Sequence, residues 1–354
     1  MQIKKILSHT LPLIVAYCVL IPPIDFRIPA PYEHWHLTIA IVCMLGIRIL
    51  FIRTNIIIKI IPMACLLSCF FSSIPTLSYN AYISIVACCY LYIGLTRMDS
   101  WEPMFNVLKS ILIFNCILLG MQLTGNDNLI NFGLDTVRNY GLVGHKMQFG
   151  SFSVILASLL GIISPLFFLF PLFVGIVCKT TWTLVCAGVG FWCFSKTKLF
   201  KIFAIIVLIA AIVMGIKTDK IQMNFNKIDG RRATWTRSIE MANEEPLTGW
   251  GPGTYKVMFP ALADLTYTKV PWKTAHNDWV QLAFELGYIL FTGIIIIWLF
   301  LLRKIIRSKN KALFAGFIVI SLNMVAHFPT RMIQCVPLII TFFAYYDGML
   351  RWKK

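Results

Sequence analysis

The residues best suited to chemistry fall between Asp229 and Gly287. This stretch opens on Arg231 and Arg232 and passes through the turn Gly249-Trp250-Gly251-Pro252-Gly253. It then reaches His276-Asn277-Asp278, with Gln281 and Glu285 following. Arginine presents a planar fork that matches phosphate oxygens two at a time. Histidine titrates near neutrality, so it can accept a proton from an attacking hydroxyl or hold a phosphate when charged. The chain has no Asp-x-Asp pair, so the divalent-metal route to a departing phosphate lacks its ligands. Fixed cations can stabilise the same developing charge without a metal. Each feature also has a plainer reading. The arginines could anchor to lipid headgroups, and a histidine at the mouth of a span is often structural. The glycines do not make a nucleotide loop, because no βαβ unit surrounds them and Pro252 removes an amide donor. A tight turn that brings backbone close to a partner fits them better.

These residues are embedded in an unusually apolar chain. Of 354 residues 58% are hydrophobic and 13% charged, and the mean hydropathy is +0.77. Soluble domains carry about 25% charged residues, so the sequence predicts an all-α integral membrane protein embedded in a lipid bilayer. Apolar runs of membrane-spanning length predict about twelve transmembrane helices and one long extracytoplasmic loop containing short helices. The expected organisation is an N-terminal set of spans (1–217), a loop carrying the chemistry (218–277) and a C-terminal set (278–354), integrated as one domain. The net charge of +17 belongs to the positive-inside bias of membrane proteins; no basic face with a reading helix implies nucleic acid. The 11 cysteines lie almost entirely in apolar runs as small hydrophobes, without the C-x-x-C spacing of a zinc site.

Charge also predicts orientation. With the N-terminus cytoplasmic, alternation places Arg53, Arg97, Lys196 to Lys198, Arg303 to Lys311 and Arg351 to Lys354 on the inside. The long loop then falls outside, along with Arg138, His145, Lys146, Lys179, His327 and Arg331. Cations gathered there against the usual bias suggest a bound anion such as a phosphate-bearing headgroup; separate snorkelling of each side chain is the plainer alternative. Within the loop, Asp229 or Gly230 could cap a helix from Arg231 to about Glu244, stopped by Pro246. Trp235, Ile239 and Ala242 would share its apolar face. Trp250, Tyr255, Tyr267 and Trp272 could stack on sugar faces.

Three pieces together resemble the O-antigen ligase and polymerase family of polytopic membrane glycosyltransferases. They are Arg231-x-x-x-Trp235 leading through Pro246-Leu247-x-Gly249-x-Gly251-x-Gly253, then His276-Asn277, then Gln281 with Glu285-x-Gly287. The resemblance implies a GT-C-like fold in a bacterial inner membrane. It implies transfer of a glycan from an undecaprenyl-diphosphate-linked donor to a saccharide hydroxyl acceptor on the periplasmic side, without cofactor or metal. His276 would be the base or donor-orienting group, and Arg231 would hold the diphosphate. Arg232, Lys179, Arg138 and Lys146 would add to that clamp, while Asn277, Glu285, Gly251 and Gly253 would support it. One departure is visible. Where the family shows a Ser-Arg type pair opening a span, this chain has Cys178-Lys179-Thr180-Thr181-Trp182, in which Lys179 keeps the charge but loses the fork. A ligase acting on a lipid A-core sugar, a repeat-unit polymerase and transfer to a protein hydroxyl all share this chemistry. A lipid or glycan transporter is the alternative from another class.

Overall fold

Backbone N–H and C=O groups away from water must be satisfied within the segment, which makes helices of the apolar runs. The computed structural model describes residues 2–20, 35–124, 146–195, 197–217, 230–262, 272–332 and 334–352, and no strand occurs among them. The α-helices in chain order are α1 (Gln2–Leu20), α2 (Trp35–Arg48), α3 (Ile56–Phe70), α4 (Pro75–Leu95), α5 (Glu102–Leu123), α6 (Lys146–Leu160), α7 (Leu169–Val177), α8 (Thr181–Phe194), α9 (Lys198–Lys217), α10 (Arg231–Glu244), α11 (Tyr255–Leu262), α12 (Asp278–Arg307), α13 (Lys311–Ala326) and α14 (Val336–Trp352).

Four of these, α4, α5, α9 and α12, are long and apolar enough to cross a membrane, and eight shorter apolar helices of 10–17 residues accompany them. At 1.5 Å per residue the shorter ones reach about 15–25 Å, less than the roughly 30 Å hydrocarbon core. The count of twelve spans and the side on which the loop lies therefore rest on the sequence pattern. α9 shows what the apolar surface is for. It buries Ala204, Val207 and Ala211 while exposing Ile202, Ile206, Ile209, Ile212 and Ile216. Such a stripe in water would be an aggregation site; on a membrane protein it faces lipid.

The described residues gather into two compact units. The first comprises Met1–Ile24, Gly94–Thr218 and Lys304–Lys354. α6 is its central helix, with every residue from Phe149 to Leu160 buried, as expected of a helix that is apolar on all sides. Around it Val154, Ala157, Phe168, Cys186, Phe191, Ala204, Ala315 and Val319 form one core. Polar bonds between helices add specificity: Trp182 Nε1 donates to Leu322 O at 3.1 Å, and Asn323 Nδ2 to Ser151 Oγ at 2.8 Å. The chain breaks at Ser164-Pro165. Ser164 Oγ accepts from Leu166 N at the start of a short 3-10 turn over Pro165–Phe168, so α6 and α7 are separate helices.

The second unit comprises Asp25–Ile93 and Asp219–Arg303. It contains α2, α3, most of α4, the two short helices α10 and α11, and α12. Met241, Tyr255, Phe259, Ala275 and Phe284 form its core beneath Trp250 and Trp272. These positions come from α10, α11, α12 and the segment just before α12, so the polar stretch folds on an apolar centre of its own.

Candidate active site

The glycine-rich turn is built by its backbone. Gly249, Gly251 and Gly253 all have positive φ (65°, 107° and 76°), a region that costs any L-residue with a Cβ. The turn pairs with α12 across a break in that helix at Gly287 (φ 68°, ψ 171°). Trp250 N donates to Phe284 O at 3.1 Å, Gly251 N to Glu285 O at 2.9 Å, and Tyr288 N to Pro246 O at 2.7 Å. The turn thus occupies backbone groups that the broken helix leaves open. A Cβ on Gly249 would collide with the backbone of Gly287, and one on Gly287 with that of Gly249. The expected close backbone approach is therefore real, and its partner is the Glu285-x-Gly287 segment.

Glu285 is 1% exposed. Its Oε2 accepts from Gly253 N at 2.8 Å and its Oε1 from Gln281 Nε2 at 2.9 Å. Gln281 Oε1 in turn accepts from Ala275 N at 3.3 Å, next to His276. Glu285 thus joins the glycine turn, through Gln281, to the segment that carries His276. The part of Gln281 in that junction is not visible in a linear motif.

His276 has a left-handed backbone (φ 52°), a conformation histidine enters more readily than most residues but still at a cost. Trp272 meets its ring edge-on, with centroids 4.8 Å apart. Asn277 Oδ1 accepts from Trp279 N (3.0 Å) and Val280 N (3.3 Å), capping α12. Asn277→Ala should then cost about 1 kcal/mol of stability. A lower thermal midpoint for the alanine variant, with recovery in Asn277→Asp, is the measurement that checks it.

α10 spans Arg231–Glu244, with Gly230 at its N-cap, as read from the sequence. Ala242 is buried as expected, but the rest of the buried face is Thr234, Ser238 and Met241, whereas Ile239 is 45% exposed. The reason is a buried polar contact, Ser238 Oγ with Tyr255 Oη at 2.8 Å, which turns the helix away from the stripe its apolar residues suggest. Trp235 Nε1 donates to Ala275 O at 2.7 Å. Arg231 lies one turn before Trp235 on the same side of the helix, so this bond ties the arginine end of α10 to the backbone that carries His276. Burial pushes the Arg231 guanidinium below its ordinary range, and a partly desolvated cation gains most from a bound anion. Arg232 is exposed on the first turn. Arg237 is committed elsewhere, to Glu240 at 3.2 Å and Glu244 at 3.8 Å.

Two aromatic expectations change. Tyr255 is completely buried, so it packs the core and stacks on no sugar; burial, partly offset by the Ser238 hydrogen bond and reinforced by Glu285, raises its phenol pKa. Trp250 donates to Met241 O at 2.9 Å and stacks on Phe284. Tyr267 and Arg138 lie outside the described residues.

Lys146 and Lys179 belong to the first unit, where both are exposed. α7 ends with Thr180 N donating to Gly175 O (2.9 Å) and Lys179 N to Ile176 O (3.2 Å). This capping motif places Lys179 where glycine is preferred, at φ 52°. Lys309 adopts the same backbone (φ 54°) after α12, so the conformation is a capping device. Lys179→Gly should stabilise the fold by about 1 kcal/mol while weakening donor binding. A raised thermal midpoint with an unchanged donor KM would remove Lys179 from the donor site.

Ser72 and Ser78, on either side of the start of α4, also touch the glycine turn. Ser78 Oγ donates to Pro252 O at 3.0 Å and Ser73 N to Trp250 O at 3.2 Å. These serines lie more than 170 residues before the turn, flanked by apolar runs, with nothing in their local pattern to connect them to it. No curated protein matches the chain. Residues 140–295 match the model of the family described as O-Antigen ligase. The matched stretch contains the arginine helix, the glycine turn, His276 and the Gln281–Glu285 pair; over it the chain is similar to the O-antigen ligase family.

Proposed function

We propose that the protein moves a glycan from an undecaprenyl-diphosphate donor to a hydroxyl of a lipid A-core sugar. The reaction takes place on the periplasmic side of a bacterial inner membrane that the chain crosses with about twelve spans. The family indicates an O-antigen ligase or polymerase type of glycosyltransferase. The observation that supports this reading most directly is the Trp235–Ala275 bond, which links the helix bearing Arg231 to the residue before His276.

Arg231 and Arg232 hold the diphosphate, and Lys179, Lys146 and Arg138 are assigned to it from the sequence. The acceptor oxygen attacks the anomeric carbon from the side opposite the leaving group and forms the new C–O bond. The bond from that carbon to the diphosphate oxygen breaks, and the configuration inverts. His276 takes the hydroxyl proton as the nucleophile forms, while the fixed cations stabilise charge developing on the leaving diphosphate. No metal takes part in this scheme.

Purified protein incubated with an undecaprenyl-diphosphate glycan and separate acceptors tests it, with products weighed by mass spectrometry. Glycan joined to a core oligosaccharide is the expected result. Products growing by whole repeat units on the donor lipid would assign a polymerase instead. Movement of labelled lipid across a bilayer with no glycan product would replace the enzyme with a transporter.

A further inference from the structure

The second unit contains a hydrogen-bonded chain that begins far from the matched stretch and ends beside His276. Ser72 Oγ and Ser78 Oγ lie 2.6 Å apart. Each hydroxyl has one proton, and Ser78 gives its own to Pro252 O at 3.0 Å. With that assignment Ser72 Oγ donates to Ser78 Oγ, with Trp250 O also within 3.4 Å of it, and accepts from Ile74 N at 3.1 Å. The residue after Pro252 continues the chain. Gly253 N donates to Glu285 Oε2 (2.8 Å), Gln281 Nε2 to Glu285 Oε1 (2.9 Å), and Ala275 N to Gln281 Oε1 (3.3 Å). Ala275 O receives Trp235 Nε1 from the other side at 2.7 Å. Both peptide groups flanking Ala275 are thereby fixed, and the next residue is His276 in its left-handed conformation.

Several features show that this chain holds position rather than filling space. Ser78, Gln281 and Glu285 are 0%, 4% and 1% exposed, so the Gln281 bonds to Glu285 and Ala275 are shielded from competing water. A Cβ at Gly251 would run into Ser72 Oγ and Ser78 Oγ, so the serine pair requires a glycine at that point of the turn. Cys69 Sγ contacts Ser78 O at 3.3 Å, fixing the first turn of α4 from behind. Apolar packing alone could dock the turn on α4, but it would not need the Ser78 hydroxyl and the Ser73 amide aimed at the turn carbonyls of Pro252 and Trp250.

We infer that Ser72 and Ser78 are positioning residues for His276, acting through Pro252–Gly253, Glu285 and Gln281. The inference rests on the proposed role of His276. A base must sit within hydrogen-bond reach of the proton it takes, and a displacement of about 1 Å transmitted from a remote residue can cost on the order of 100-fold in rate. Loosening the outer end of the chain should therefore lower kcat and leave the donor-binding cations in place.

The test is steady-state transfer by the purified, detergent-solubilised full chain, with a lipid-diphosphate glycan donor and a core-oligosaccharide acceptor. Ser78→Ala is expected to lower kcat about tenfold or more with donor KM within about twofold. Ser72→Ala should act in the same direction and Ser72→Thr, which keeps the hydroxyl, should retain the parent rate. Because the members form one chain, Ser78→Ala combined with Gln281→Leu should be no slower than the slower single variant. Parent kcat in both serine-to-alanine variants overturns the inference, as does a double variant whose losses multiply. If Ser78→Ala does not accumulate, the contrast between Ser72→Ala and Ser72→Thr decides. A His276→Ala protein at parent rate instead defeats the proposed function itself. An inactive His276→Ala beside fully active serine variants defeats the positioning chain alone.

Discussion

His276→Ala is expected to slow glycan transfer by about two to four orders of magnitude, the usual contribution of a positioned acid or base. The protein should still insert, because the imidazole is half-buried and the core beneath it is made by Met241, Tyr255, Phe259 and Phe284. Removing the ring takes a proton acceptor from the acceptor hydroxyl and leaves Arg231 and the glycine turn in place. The loss should therefore appear in kcat, with donor KM changed little. Alanine must also adopt the left-handed backbone (φ 52°) at a cost of about 1–2 kcal/mol. His276→Asn controls for that cost, since asparagine tolerates this conformation. The asparagine variant should be as inactive as the alanine one and more stable. Parent-rate transfer by a normally inserted His276→Ala protein would falsify the assignment.

Gly249→Ala and Gly287→Ala should have the largest effects on folding. Each residue has positive φ, which costs about 1–2 kcal/mol for alanine, and each Cβ would enter the other's backbone. Relief requires the turn and α12 to separate, which breaks the bonds from Trp250 N, Gly251 N and Tyr288 N. Together these effects cost on the order of 4 kcal/mol or more, at the exceptional end for a single substitution. The expected outcome is protein that is degraded or extracted only in small amounts. Gly293, where a Cβ meets nothing within 4 Å, is the matched control; Gly293→Ala should express normally. Because either alanine alone already forces the separation, the double variant should be little worse than one single variant.

Much of this arrangement is legible in the sequence because it depends on local chemistry. Apolar runs give the helices, Ser164-Pro165 gives the break between α6 and α7, and Pro246 follows the end of α10 closely. The three spaced glycines announce a turn with close backbone contact. The partners of these elements are long-range and cannot be read locally. The docking of Gly249 against Gly287 needs two segments almost forty residues apart to meet. The buried face of α10 follows Ser238 because Tyr255 supplies a hydroxyl partner, and hydrophobic periodicity gives no weight to a serine. Asn277 looks like a companion of the histidine and is a helix cap, since the start of α12 at the next residue places its side chain over free amides. Ser72 and Ser78 are silent in sequence because their meaning lies in a carbonyl contributed from elsewhere.

The break at Gly287 separates two environments. Before it, Asp278, Gln281, Ala283, Phe284 and Glu285 are buried; after it, no residue from Tyr288 to Lys304 is buried. The segment beyond the break, to Arg307, rises about 30 Å, close to the thickness of a bilayer's hydrocarbon core. A continuous helix from Asp278 would rise about 45 Å and would have to tilt to fit. With a joint at Gly287, the apolar rod beyond it can lean as acyl chains lengthen or shorten while the segment before it stays bonded to the turn. Transfer should accordingly hold nearly constant across vesicles of moderately different thickness, as long as position 287 is glycine.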